Sequence, residues 1–277
     1  MTTGRFAPSP TGPLHLGSLV AAVGSWLFAR HDGGRWLVRM EDLDTPRVVP
    51  GSADEILRAL ERYALTWDGE VVYQSQRIAL YEAALNELRS KNLVFDCACS
   101  RADLQRAASA PVGEEPVYPG TCRNGIPGGR APRAVRFRGN EEVDDFIVKR
   151  ADGVFAYQLA VVVDDAAQGV TQVVRGADLL SSTPRQIALQ QALRYPTPDY
   201  IHLPLVLGPD GKKLGKRDGA LPLPALDEAR VQETLHNALR FLGIDVQLAP
   251  PSEMLRHSVK QMRHVPVAAR GGRGTRG

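Results

Sequence analysis

The stretch PSPTGPLHLGS, residues 8–18, frames one histidine with three prolines and two glycines, then runs directly into the apolar segment LVAAVGSWLFA. Pro8, Pro10 and Pro13 restrict the backbone, while Gly12 and Gly17 let a ligand or a second backbone come close. A helix beginning near Gly17 would present unpaired N–H groups and the positive end of its dipole to an anion. His15, just ahead of that start, could donate a hydrogen bond to phosphate oxygens and stabilise the charge that develops in phosphoryl or nucleotidyl transfer. A lone loop histidine can equally be structural. RMEDLD, residues 39–44, sets three acids beside an arginine at the end of a strand pattern, where ligands gather in an open α/β sheet, although a solvated strand end has the same composition. KKLGKRDG, residues 212–219, is a lysine-rich loop that taken alone reads as a solvated turn. CAC at 97–99, followed by YPGTC, brings Cys97, Cys99, Tyr118 and Cys122 close in sequence. Zinc takes four ligands in a closed structural site, and three thiolates qualify here. The fourth ligand is not settled by spacing, because no histidine lies in the segment, and buried thiols are the alternative.

The elements that must carry these residues follow from patterning. GRFAP reads as a strand, residues 17–30 as a helix stopped by Gly33 and Gly34, and RWLVRM as a second strand. That is the opening of a βαβ unit with a parallel sheet. Ser52, three residues ahead of Glu55, reads as a capping box opening the helix ILRALERYAL, and a further helix is expected over about 75–90. Residues 91–150 change character, with cysteines, prolines, glycines and short strand-like pieces such as RAVRFRG and DFIVKR, which marks an insertion. FAYQLAVVVDD and VTQVVRGADLL are then expected as strands, followed by a helix opened by Thr183 as cap and Pro184 as first-turn proline. IHLPLVLG is a strand leading into the lysine-rich loop, and LDEARVQETLHNALRFLG is an amphipathic helix ended by Gly243.

Composition sets the outer bounds. At 277 residues and 43% hydrophobic content the chain can bury a substantial core. No apolar run approaches the roughly 20 residues that cross a bilayer, and the first residues lack a secretory pattern, so a cytoplasmic location with no membrane partner is expected. Three cysteines, two of them separated by one residue, make a poor disulfide framework and suit a reduced compartment or a metal site. The net charge of +3 is unevenly spread, because six Lys and Arg and no acid lie from Arg256 onward, leaving 28 bases against 31 acids in residues 1–255. A nucleic acid would therefore have to be met by a local patch. The terminal ARGGRGTRG is too poor in apolar residues to fold, and disorder or accessory RNA contact is expected there.

HLGS at 15–18 resembles the HIGH motif of class I aminoacyl-tRNA synthetases, and RFAPSPTGPLHLGS as a whole is similar to the start of the glutamyl and glutaminyl branch. KKLGKRDG resembles the second signature of the class, KMSKS, with Gly215 where the family usually has serine. The resemblance spans about residues 4–245 and implies an α/β fold, a Rossmann-like parallel-sheet catalytic domain of the class I type. It implies boundaries at 1–90 for the first half, 91–150 for an inserted zinc-binding subdomain of acceptor type, 151–245 for the second half, and 246–277 for a basic, disordered tail. It implies His15, Lys213 and Lys216 as catalytic residues, with His15, Gly17, Ser18 and Lys216 on ATP. Arg5, Ser9, Glu41, Tyr157 and Arg175 would hold glutamate, with Asp178 a structural candidate and Tyr157 alternatively a core aromatic. In the glutamyl-queuosine subfamily a related Cys-x-Cys, Tyr, Cys arrangement supplies a structural zinc site, which would make Cys97, Cys99, Tyr118 and Cys122 the ligands. Only about 60 residues follow KLGKR, too few for the anticodon-reading domain of the full-length branch members. The expected reading is thus a free-standing catalytic relative, a monomer with ATP, Mg²⁺ and structural Zn²⁺, acting on L-glutamate and on tRNA(Asp) bearing queuosine. Charging of a tRNA 3′ end, a nucleotidyltransferase without tRNA, and a non-enzymatic zinc module that binds RNA are the competing readings.

Overall fold

A computed structural model describes residues 1–100, 102–104, 118–208, 223, 227–262 and 265–271. The chain forms two compact units, one built from Met1–Gln76, Gly169–Leu180 and Pro198–Gly277, the other from Arg77–Gln168 and Ser181–Thr197. No helix among the described residues is long and apolar enough to cross a membrane.

The first unit opens as the sequence predicts. Thr3–Phe6 (β1) is buried along its whole length and pairs in parallel with Arg35–Met40 (β2), Thr3 opposite Arg35 and Phe6 opposite Val38. Between them runs Leu16–His31 (α1), whose buried side chains include Leu19, Val20, Val23 and Leu27. A Cβ at Gly24 would overlap the Leu203 side chain, so the missing side chain is what lets this helix press onto the sheet. Ser52–Arg62 (α2) buries Ile56, Ala59 and Leu60, and Val72–Tyr73 (β3) adds in parallel to β2. The capping box does not form as expected. Gly51, at φ 79°, takes the N-cap position, and Ser52 stands inside the helix with its hydroxyl turned to Gly12.

The second unit begins with Ile78–Ser90 (α3), three residues later than predicted because Gln74–Gln76 form a 3₁₀ turn. Val94–Cys97 (β4), Ala134–Phe137 (β5) and Phe146–Lys149 (β6) make an antiparallel sheet, with a bulge between Val135 and Arg136. FAYQLAVVVDD is not a strand: Tyr157–Ala167 is a helix (α4). The Val161–Val163 run costs a helix only a few tenths of a kcal/mol per residue, and helical geometry buries Asp164 completely, with side chains on or beside α3 among its partners. Arg77 Nε lies 2.6 Å from Asp164 Oδ1, and the Tyr81 hydroxyl donates to Oδ2 at 2.8 Å. The unit is larger than the expected 91–150 insertion, because α3 and α4 pack together and are joined by the later helix Thr183–Leu193 (α5), which has Pro184 in its first turn as predicted but Ser182, not Thr183, at the N-cap.

The chain returns to the first unit twice. Gln172–Gly176 (β7), shorter than VTQVVRGADLL suggests because Ala177–Ser182 turn into a 3₁₀ segment, pairs in parallel with Asp199–Leu203 (β8). Thr171, just ahead of β7, donates its N–H to the Thr3 carbonyl at 2.9 Å, and the Thr3 N–H donates to the Thr171 hydroxyl, which draws the two parallel sheets edge to edge. Glu228–Phe241 (α6) is capped by Asp227, whose carboxylate accepts from the Arg230 N–H. Where the expected boundaries place a basic, disordered tail at 246–277, the chain folds Pro251–Val259 (α7) and Ala269–Gly271 (β9), the latter antiparallel on β8. Met254, Leu255, Met262 and Val265 explain the difference, since they are buried in the same core as Leu19, Trp36 and Leu239. Of the terminal ARGGRGTRG, residues 272–277 lie outside the described residues.

Candidate active site

Arg5, Glu41 and Arg175 lie at the carboxyl ends of the parallel strands, where an open α/β sheet places its ligands. Arg5 is buried near the end of β1, Arg175 is buried near the end of β7, and Glu41 follows β2 directly. Glu41 Oε1 lies 3.5 Å from Arg39 Nη2, both side chains being nearly inaccessible. Ser9 is exposed in the loop after β1, and Asp178 is exposed just past β7. A Cβ at Gly176 would come within 2.6 Å of Asp178 Oδ1, so the carboxylate lies across that backbone.

The histidine loop is pinned at several points. The Glu41 N–H donates to the Pro8 carbonyl and the Val49 N–H to the Pro10 carbonyl, each at 2.9 Å. At Gly12, whose φ is 123°, the backbone is held on both sides by Ser52, which accepts from the N–H at 3.1 Å and donates to the carbonyl at 2.9 Å. His15 is the N-cap of α1, its Nδ1 accepting from the Ser18 N–H at 3.4 Å. A neutral ring used this way carries its proton on Nε2, the tautomer that can donate toward a phosphate. Gly17 permits the arrangement, since a Cβ there would stand 3.1 Å from His15 Cε1. Ser18 spends its backbone N–H on His15, leaving its hydroxyl as the group that can serve a ligand. Lys213, Gly215 and Lys216 lie outside the described residues. Leu223, seven positions past Lys216, is buried and donates its N–H to the Leu14 carbonyl at 3.2 Å. The chain after the lysine-rich loop is therefore tied down next to His15. Tyr157 opens α4 in the second unit and is half-buried.

Two residues that sequence reasoning passed over belong to this description. His202 on β8 lies opposite Arg175 and accepts from its Nε at 3.3 Å; burial and the neighbouring guanidinium push the imidazole below its usual range. Arg136 on β5 serves the cysteines. Neither is visible without strand register, because nothing in the surrounding strand sequence marks it.

The cysteine cluster forms as expected at the end of β4. The Cys97, Cys99 and Cys122 sulfurs lie within 4.8 Å of one another, and Cys99 Sγ is 3.7 Å from Cys122 Sγ. With Zn–S bonds near 2.3 Å, the edge of a tetrahedral site is about 3.8 Å. Tyr118 Oη stands 3.5 Å from Cys97 Sγ and 3.9 Å from Cys99 Sγ, and it accepts from the Cys122 N–H at 2.8 Å. Arg136 donates to Cys97 Sγ at 3.4 Å while its guanidinium rests 3.9 Å over the Tyr118 ring. Burial would raise Cys97, but hydrogen bonds from Tyr118, the Cys99 backbone and Arg136 hold it below the usual thiol range. Burial, reinforced by Cys122 and Cys97, pushes Cys99 up to about 11, and burial with Cys97 raises Tyr118. The donor set suits a thiophilic divalent cation, whose charge would displace the shared protons.

Comparison with known proteins places the chain in a family. Residues 1–126 and 134–260 match the family described as tRNA synthetases class I (E and Q), catalytic domain. A glutamyl-Q tRNA(Asp) synthetase from Geobacter sulfurreducens is 56% identical, over 91% of this chain and 86% of its own. Another from Thiobacillus denitrificans is 56% identical over 91% and 87%. Among solved structures, a glutamate-tRNA synthetase from Elizabethkingia anophelis aligns with a TM-score of 0.68 and 29% identity, covering 79% of this chain and 53% of that one, so the chain spans about half of that longer protein. The chain belongs to the class I tRNA synthetases of the E and Q type, in the group of the glutamyl-Q tRNA(Asp) synthetases.

Proposed function

We propose that the protein activates L-glutamate with ATP and transfers the glutamyl group to a hydroxyl of the cyclopentenediol ring of queuosine in the anticodon of tRNA(Asp). The observation that carries the acceptor is the 56% identity to relatives of that name along most of both chains. In the first step a glutamate carboxylate oxygen attacks the α-phosphorus of ATP, the bond from that phosphorus to the bridging oxygen breaks, and pyrophosphate leaves. In the second, the queuosine hydroxyl attacks the acyl carbon, loses its proton, and AMP departs with the anhydride oxygen.

His15 Nε2–H stabilises the charge on the α-phosphate, with Gly17 and the Ser18 hydroxyl beside it, and Lys213 and Lys216 neutralise the departing pyrophosphate. The Leu223–Leu14 tie holds the residue seven positions past Lys216 beside the loop that carries His15. Arg5 and Arg175 suit the two carboxylates of glutamate, Glu41 its ammonium, and Ser9 is a further contact. Cys97, Cys99, Tyr118 and Cys122 would hold structural zinc, which cross-links the end of β4 to the segment around residue 122. Mg²⁺ accompanies ATP as the counter-ion of its phosphates. The first unit is thus the catalytic domain and the second carries the zinc-bearing insertion.

Transfer of radiolabelled glutamate to tRNA prepared with and without queuosine tests the reading. Label should appear only on queuosine-bearing tRNA(Asp) and survive removal of the 3′-terminal adenosine. Equal labelling of both tRNAs would instead assign the chemistry to the 3′ end.

A further inference from the structure

We propose that His202 is a positioning residue of the glutamate site: it fixes the Arg175 guanidinium, and the C-terminal strand β9 fixes His202. The inference rests on the reading of Arg175 as a glutamate contact.

Arg175 and His202 are register partners on adjacent parallel strands, both buried. An arginine side chain can only donate, so the 3.3 Å contact requires His202 Nε2 to be the acceptor and therefore unprotonated. Tyr200, two residues earlier on the same face of β8, stacks on the His202 ring at 6.4 Å with planes 9° apart. The Arg175 guanidinium lies 5.1 Å over the Tyr200 ring. One ring thus takes Nε and the other supports the plane. Together they set the direction in which the two terminal nitrogens present their fork, and that direction decides whether a planar carboxylate is met by one hydrogen bond or two. The seat of His202 comes from the far end of the chain. Ala269 pairs with His202, Gly271 with Tyr200, and the Ala268 N–H donates to the His202 carbonyl at 2.7 Å. β8 is therefore held between β7 and a strand that none of the signature motifs includes.

The test is a double-mutant cycle in glutamate-dependent ATP–pyrophosphate exchange on the full chain. His202→Phe keeps the ring and removes the acceptor, and should raise the KM for glutamate about tenfold or more while leaving the KM for ATP within about twofold. His202→Gln restores an acceptor and should return the glutamate KM to within about threefold of the parent. In the Arg175→Ala background, His202→Phe should add nothing further. Additive effects, or equal rises in both KM values, would overturn the positioning role while leaving the site reading intact. An unchanged glutamate KM in Arg175→Ala alone would remove that reading and the inference with it. Independently of any variant, ¹⁵N spectra of the parent protein at neutral pH should show His202 as the Nδ1–H tautomer, and a protonated Nε2 would refute the contact.

Discussion

Replacing Ser52 with alanine separates two readings of one residue. As an N-cap within a capping box, Ser52 would stabilise α2 by about 1 kcal/mol and have no bearing on catalysis. The structure instead has its hydroxyl holding both backbone groups of Gly12, at 3.1 and 2.9 Å, with Gly12 and Ser52 both buried. Ser52→Ala leaves a buried donor and a buried acceptor unsatisfied, each worth about 1–3 kcal/mol, so the loss should be roughly 2–4 kcal/mol after relaxation. At about 2–4 °C per kcal/mol, the melting midpoint should fall by roughly 5–15 °C. His15 sits three residues beyond Gly12, and a displacement near 1 Å at a reacting centre costs up to about 10²-fold. Glutamate-dependent ATP–pyrophosphate exchange, run well below the variant's melting midpoint, should therefore drop by about 10- to 100-fold. Glu55→Ala, which removes only the other half of the box, should change both readouts little. A Ser52→Ala protein that melts within about 1 °C of the parent and exchanges at the parent rate would refute the loop-pinning argument.

Other perturbations have equally definite outcomes. His15→Ala should reduce exchange by about 10²–10³-fold for the lost donor while costing only about 1 kcal/mol for the lost N-cap, and near-normal adenylate formation would exclude its catalytic role. Metal analysis should find about one zinc per chain, and none after Cys97, Cys99 and Cys122 are replaced together by serine. That triple variant should melt roughly 10 °C or more lower, equivalent to about 3–5 kcal/mol, and an unshifted melting curve would rule out a structural metal. Burial pushes the Tyr63 hydroxyl up to about 12 from its ordinary 10, so the folded protein keeps a proton that the unfolded chain releases. That contribution, about 3 kcal/mol, is intact below pH 10 and lost as pH rises toward 12. Tyr63→Phe should flatten the alkaline fall in the urea midpoint, and parallel curves for the two proteins would contradict the assignment.

The residues most legible in the sequence are those whose roles are local. Leu16–His31 and Gly12 could be read from proline, glycine and apolar order alone, because a loop with restricted backbone before an apolar run has few ways to fold. The clustering of Cys97, Cys99 and Cys122 could be read from their spacing, whereas Tyr118 entered only through the resemblance. The boundary expected at 246 set the start of the tail too early. Its basic residues dominate the count, whereas the four apolar side chains Met254, Leu255, Met262 and Val265 decide the fold by joining the core.

What stayed hidden depends on partners far away in sequence. Tyr157–Ala167 carries a β-branched run that argues for a strand, and partners such as Arg77 and Tyr81, more than 80 residues earlier, make burial of Asp164 tolerable in a helix. A bare carboxylate there would cost several kcal/mol, far more than the few tenths by which three valines disfavour a helix. Ser52 follows the same logic, since a hydroxyl three residues before a glutamate is a cap until Gly12, forty residues back, offers it two stronger partners. His202 is the extreme case. Nothing near it in sequence distinguishes a buried strand histidine from one that aims Arg175; the distinction arises only from the pairing of β7, β8 and β9, elements spread over about a hundred residues. Local chemistry thus marks where a ligand would sit, while the side chains that hold its contacts in register are set by long-range pairing.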